Sequence, residues 1–229
     1  MIQENITEIN TRIEQACVRA GRNPKEVTLI AVSKTKPVSM IEEAYIAGQR
    51  EFGENKPQEL RDKVKVCKED IRWHMIGTLQ TNKIKYVLGN ACLIHSVDSL
   101  KLAGELEREA AKRELTADIL LEVNIAVENS KHGFLAEEIK DAVKQISHYP
   151  HLRLKGLMTV APYTENAEEN RIYFKKMKQL LIDIRKENID NVFMDTLSMG
   201  MSSDYEVAIE EGATMVRVGT GIFGERNYF

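Results

Sequence analysis

Lys34 closes the run Val27-Thr28-Leu29-Ile30-Ala31-Val32-Ser33-Lys34, and its amine is a nucleophile in waiting if the run is a strand. Side chains alternate across a strand, so Lys34 shares a face with Thr28, Ile30 and Val32, while Val27, Leu29, Ala31 and Ser33 form the other. If that second face packs against helices, Lys34 points inward at the strand's C-terminal end. Withdrawing an ammonium from water disfavours its charged form, and the neutral amine then attacks carbonyl carbons. Position alone also accommodates a solvated or salt-bridged lysine. Lys36 has the same parity, but it lies beyond the strand and directly before Pro37, which makes it the second candidate.

A second concentration of chemistry lies near the other end. Leu197-Ser198-Met199-Gly200-Met201-Ser202 precedes the helical segment DYEVAIEEG. Small hydroxyl residues and a glycine before a helix leave backbone N–H groups beside a positive helix end, which suits phosphate. The segment Val218-Gly219-Thr220-Gly221-Ile222-Phe223-Gly224 follows, and its glycines let backbone approach a ligand. Either loop alone is ordinary turn chemistry; two in succession point to a phosphate site. Arg217 shares a strand face with Met215 and Gly219, and a permanently charged guanidinium there needs an anion, a ring acceptor or a carboxylate such as Glu122. Phe52-Gly53-Glu54-Asn55 and Trp73-His74-Met75-Ile76-Gly77 add polar groups near strand ends, and His74 reads first as a structural hydrogen-bonding residue. None of the five histidines has metal-ligand spacing, so no metal site is expected.

The elements that must hold these groups alternate along the chain. Residues 3 to 21 carry Ile6, Ile9, Ile13, Ala16, Cys17 and Ala20, an amphipathic stripe ended by Gly21. After it come eight candidate strands, at 27–34, 50–55, 72–77, 92–98, 118–124, 154–160, 192–198 and 214–220, separated by charged helical stretches. Strand–helix repetition means parallel strands, and eight units close a TIM-type (β/α)₈ barrel, here with an extra N-terminal helix. An open doubly wound sheet is the rival, weakened by the absence of GxGxxG after the first strand. No linker divides the 229 residues, so residues 1–229 read as a single domain. In such a barrel, chemistry sits at the C-terminal strand ends, and phosphate is commonly held after strands seven and eight. The charge balance, 32 Lys and Arg against 35 Asp and Glu, gives no reason to expect nucleic acid. Three dispersed cysteines without a CxxC pair, a polar N-terminus and no long apolar run indicate a cytoplasmic protein with no membrane span.

The segments AVSKTKP, QREFGENKPQEL, WHMIGTLQTNK, IHSVDS, LKGLMTV, LSMGMSSDYEVAI and VRVGTGIFGER together resemble the pyridoxal phosphate homeostasis protein family, in order and spacing, from about residue 28 to about residue 227. The resemblance implies a barrel like that of alanine racemase without its β domain, and pyridoxal 5′-phosphate (PLP) as cofactor. It implies that Lys34 forms the internal aldimine, that Ser198, Ser202, Gly219 and Thr220 belong to the region holding the phosphate, and that Arg217 faces the pyridine nitrogen. Asn55 and Met199 are implied to line the pocket. The chain departs from the family at Lys56-Pro57 after FGEN, at His132 in NSKHGF and after Met158-Thr159-Val160, which bears on local shape.

An arginine beside the ring nitrogen leaves the ring a weaker electron sink than an aspartate would. With the chain ending at Phe229, the racemase's second base is expected to be missing. Both features suit a monomeric cofactor carrier in vitamin B6 homeostasis and amino-acid balance, without a catalytic residue and with PLP-dependent apoenzymes as possible recipients. The alternatives are a PLP-dependent racemase or a cofactor-free aldolase that uses Lys34 and a sugar phosphate.

Overall fold

The computed structural model describes residues 1–128 and 130–225. Eight parallel strands close a barrel in chain order: β1 Thr28–Val32, β2 Glu51–Glu54, β3 Arg72–Met75, β4 Leu93–Val97, β5 Ala117–Glu122, β6 Leu152–Met158, β7 Val192–Met201 and β8 Met215–Val218. The helices between them are α2 Val38–Ile46, α3 Pro57–Val64, α4 Leu100–Lys112, α5 Ile139–Ile146, α6 Arg171–Lys186 and α7 Tyr205–Glu210. A 3₁₀ turn, Thr81–Tyr86, replaces a helix between β3 and β4. All eight expected strands are present, and β7 runs three residues further than expected, through Met201.

The alternation expected in β1 is observed. Leu29 and Ala31 join the continuous apolar layer between strands and helices, together with Phe52, Met75, Ile119, Leu157 and Val216. Ile30 turns inward, where a side chain on Gly53 would meet it at 2.9 Å. The barrel interior has its own small apolar plug of Leu93, Leu120 and Met158, flanked by Met215. Beside that plug the interior also holds the buried polar side chains His74, His95, Ser198 and Arg217, which is unusual for a barrel filled by branched aliphatic layers.

The N-terminal helix α1, Ile2–Arg19, buries Ile2, Ile6, Ile9, Ile13, Ala16 and Cys17 along one face. It packs against α7, α2 and the last helix α8, Thr220–Phe223. The eighth crossover position holds only that single turn, and α1 completes the helical shell there. Arg12 and Arg19 fasten it through Glu206 and Glu210 of α7, with contacts of 2.6–2.9 Å.

Candidate functional site

Barrel closure sets β1 between β2 and β8, and this brings the two ends of the sequence together. The register pairs Val32 with Gly53 on one side and Ile30 with Arg217 on the other. Two residues beyond β1, Lys34 is half-buried, with Asn55 beyond β2 and Gly219 beyond β8 as its strand-end neighbours. Gly219 abuts β1 so closely that a Cβ on it would lie 3.4 Å from Val32. Its N–H donates to the Ser202 hydroxyl at 3.3 Å, joining the loops after β7 and β8. Thr220 follows as the exposed first residue of α8.

The turn that carries Lys34 is braced on both sides. Before it, the Ser33 hydroxyl donates to Glu54 Oε1 at 2.6 Å. After it, Thr35 adopts a left-handed conformation (φ 63°), and its N–H donates to Glu59 at 2.7 Å. Such a conformation costs a threonine of order 1 kcal/mol and persists only where surroundings impose it. The imposing group is Lys63 on α3: its ammonium donates to Ser33 O, Glu54 Oε1 and Glu59 Oε1 at 2.8, 2.7 and 2.6 Å. Glu54 is fully buried, and burial pushes its carboxyl above the usual range while Lys63 and Ser33 pull it down. None of Glu54, Glu59 or Lys63 was expected from sequence as part of the site. The charged spacing Glu59/Lys63 after FGEN is a signal that could have found them.

Lys36, the rival nucleophile, is committed elsewhere. Its ammonium donates to the carbonyls of Phe223, Gly224 and Glu225 at 3.0–3.1 Å and caps the end of α8. On the other flank, Asn55 presses against β3's exit: a Cβ at Gly77 would fall 2.5 Å from the Asn55 carbonyl oxygen. Its side-chain oxygen is buried without a hydrogen-bond partner. A buried polar atom left in this state is costly and marks a place built for a ligand group or water.

Arg217 is buried inside the barrel. It donates to Ser198 Oγ at 2.6 Å and to Thr159 O at 2.8 Å. The ion pair with Glu122 that sequence left open is not formed among the described residues; Glu122 acts on Arg217 only through its field. Burial lowers the Arg217 pKa to about 10, against the opposing pull of Glu122 and Asp204, so the guanidinium stays charged at neutral pH. Glu122 is raised by burial and then by Asp98, with Arg217 and His132 acting against both. Asp204 shapes the loop after β7: it accepts from Met201 N–H at 2.7 Å and from the Asn170 amide at 2.8 Å.

Two expected residues sit differently from their neighbours in the motif. Ser198 is fully buried on the inner face of β7, bonded to Arg217 and to His95, whereas Ser202 lies in the loop. Met199 has its side chain in the outer apolar layer, as alternation along β7 demands. His74 is a buried structural residue, bonded to His95 and to Glu51. His95 is a site residue that sequence reading missed, although its inward parity with Leu93 on β4 was available.

An eight-stranded parallel barrel with a lysine braced at the end of β1 and joined loops after β7 and β8 has the architecture of the racemase barrel class, and the family described as "Alanine racemase, N-terminal domain" matches residues 4–227. Within it, the chain is 45% identical to the pyridoxal phosphate homeostasis protein of Aquifex aeolicus over 98% of both chains, and 40% identical to that of Escherichia coli K12 over 99% of this chain and 97% of the relative. A solved structure of PipY from Synechococcus elongatus with PLP bound superposes with a TM-score of 0.82 at 34% identity, covering 98% of this chain and all of PipY. The chain belongs to the pyridoxal phosphate homeostasis protein family.

Proposed function

We propose that this chain binds PLP in the barrel mouth, covalently through Lys34, and holds it as a cellular store for PLP-dependent apoenzymes. The observation that carries the reading is the bracing of Lys34: buried Glu54 and Lys63, with half-buried Glu59, fix the residues on both sides of it. Structure spent on orienting one amine is expected where that amine forms a bond. The residues present fit the cofactor. Ser202, Gly219 and Thr220 would hold the phosphate, the unpartnered Asn55 oxygen would accept from a donor of the ligand, and Arg217 would stand at the ring edge. When bound, PLP supplies an aldehyde carbon for the Lys34 amine and a ring that withdraws electrons.

What the protein's own groups do is hold rather than turn over. Arg217 remains a cation at neutral pH and donates rather than yields protons, so it cannot act as a carboxylate partner that keeps a ring nitrogen protonated. A single-domain, cytoplasmic monomer with this site is suited to storage and hand-over of the cofactor. Among the described residues, no helix is long and apolar enough to cross a membrane. The test is optical: titrating PLP into the apoprotein should give a saturable visible band, and Lys34→Ala should abolish it. A Lys34→Ala protein with an undiminished band would overturn the assignment.

A further inference from the structure

The hydrogen bonds of Arg217 continue past Ser198 through the whole barrel. Ser198 Oγ lies 2.9 Å from His95 Nδ1, His95 Nε2 lies 2.9 Å from His74 Nδ1, and His74 Nε2 lies 2.7 Å from Glu51 Oε2. Ser198, His95 and His74 are each 0% exposed. Glu51 opens β2 at the N-terminal end of the barrel, while Arg217 pairs in register with Met201, the last residue of β7. Five side chains from β2, β3, β4, β7 and β8 therefore connect the closed end to the mouth.

For a neutral His74 the chain of bonds has one self-consistent direction. An ionised Glu51 only accepts, so His74 carries its proton on Nε2 and, when neutral, accepts at Nδ1. His95 then donates from Nε2 and accepts at Nδ1, and the Ser198 hydroxyl donates to it. That leaves a Ser198 lone pair for Arg217 Nη1. Each donor meets one acceptor, as buried polar networks require. Burial holds His95 well below the ordinary histidine range, and the Arg217 guanidinium acts in the same sense, so it remains a neutral link.

Resting on the reading that this chain binds PLP with its ring edge at Arg217, we propose that His95, His74 and Glu51 are positioning residues for Arg217, coupling the charge at the N-terminal end of the barrel to the bound cofactor. The groups facing the two ends are defined. Glu51 meets Arg72 at 2.8 Å and His74, with the Cys92 sulfur 3.6 Å from His74 Nε2. Arg217 meets Ser198 and the Thr159 carbonyl directly, and Glu122 and Asp204 through their fields. Glu51→Gln replaces an acceptor-only group by an amide that can also donate, so the direction is no longer fixed. The reversed arrangement, with both histidines protonated on Nδ1, then becomes accessible; His95 becomes a second donor to the Ser198 oxygen beside Arg217, and the Ser198 proton loses its acceptor.

Two measurements test this. Long-range ¹H–¹⁵N spectra of the apoprotein should show His95 protonated on Nε2 alone and His74 protonated on Nε2, with Glu51→Gln moving the ring-nitrogen signals of both. In PLP-loaded protein, Glu51→Gln should shift the pH midpoint of the visible band, and His95→Asn should weaken PLP binding roughly tenfold, the scale of one lost hydrogen bond to a charged group. Glu51→Gln keeps an acceptor for His74 and serves if His95→Asn does not fold. Nδ1 protonation of both histidines in wild type, or pH-dependent spectra superimposable between wild type and Glu51→Gln, would overturn the relay. A colourless wild type would instead overturn the cofactor reading on which the relay's role depends.

Discussion

Removing the Lys63 ammonium is the sharpest test of how Lys34 is held. Lys63→Met keeps most of the side-chain volume but deletes three hydrogen bonds and the cation between Glu54 and Glu59. Glu54 then retains only the Ser33 hydroxyl, and its second oxygen already lacks a partner. Breaking a buried pair by removing one member costs about 3–5 kcal/mol, because the other charge is left uncompensated. Glu54 relieves part of this by taking up a proton, since its pKa is already raised with Lys63 present, so the lower end, about 3 kcal/mol, is expected. For a chain of this size that lowers the thermal midpoint by roughly 6–12 °C. Glu54→Gln/Lys63→Met leaves no buried charge, and the side-chain amide oxygen that replaces the carboxylate still accepts from Ser33. The double variant should therefore recover most of the loss, with a coupling of about 2 kcal/mol in the double-mutant cycle. Thermal melts of apoprotein measure the stability term, and PLP titration measures the looser lysine turn as weakened binding. A Lys63→Met protein melting within a degree of wild type, or strictly additive single and double variants, would refute the bracing.

Three further outcomes are expected. The folded-state pKa of His95 lies below its unfolded value, so the unfolded chain binds the proton first: the stability contribution is complete above about pH 6.5 and falls with pH by up to about 1.4 kcal/mol per unit, a slope that His95→Asn should reduce in melts run from pH 7.5 to 5. Lys36→Ala should accelerate amide exchange at Phe223 and Gly224 while leaving the visible band of the PLP complex in place; loss of the band with an intact fold would return Lys36 to the site. Cys92, whose pKa is pushed up to about 12 by burial, should resist alkylation at pH 8 in native protein and react once denaturant is added, with mass mapping as the readout.

The barrel was legible because its strands are short β-branched runs placed between amphipathic segments, and because inward parity could be counted from Lys34 and from Arg217 back along their strands. Parity also explains the difference within LSMGMS: Ser198 and Met199 are adjacent in sequence and therefore face opposite sides of β7. Helix α3 escaped notice because it is short and half of its residues are charged, and its one fully buried aliphatic side chain, Leu60, gives no periodic stripe. The partners of Lys63 and Arg217 escaped for a different reason. Lys63 reaches Ser33 across 30 residues, and Ser198 reaches His95 across 103, so these contacts exist only once the barrel has closed. A local pattern can say that a polar residue faces inward. Which group it meets depends on the strand register, which the sequence pattern alone does not specify.

The central claim is that one amine, at the end of β1, holds the cofactor. Borohydride reduction of the PLP-saturated protein, followed by proteolysis and mass mapping, tests it most directly. The account predicts a single pyridoxyl adduct on Lys34 and none on Lys36, whose ammonium is engaged by three backbone carbonyls. An adduct on Lys36 or another lysine with Lys34 unmodified would contradict it.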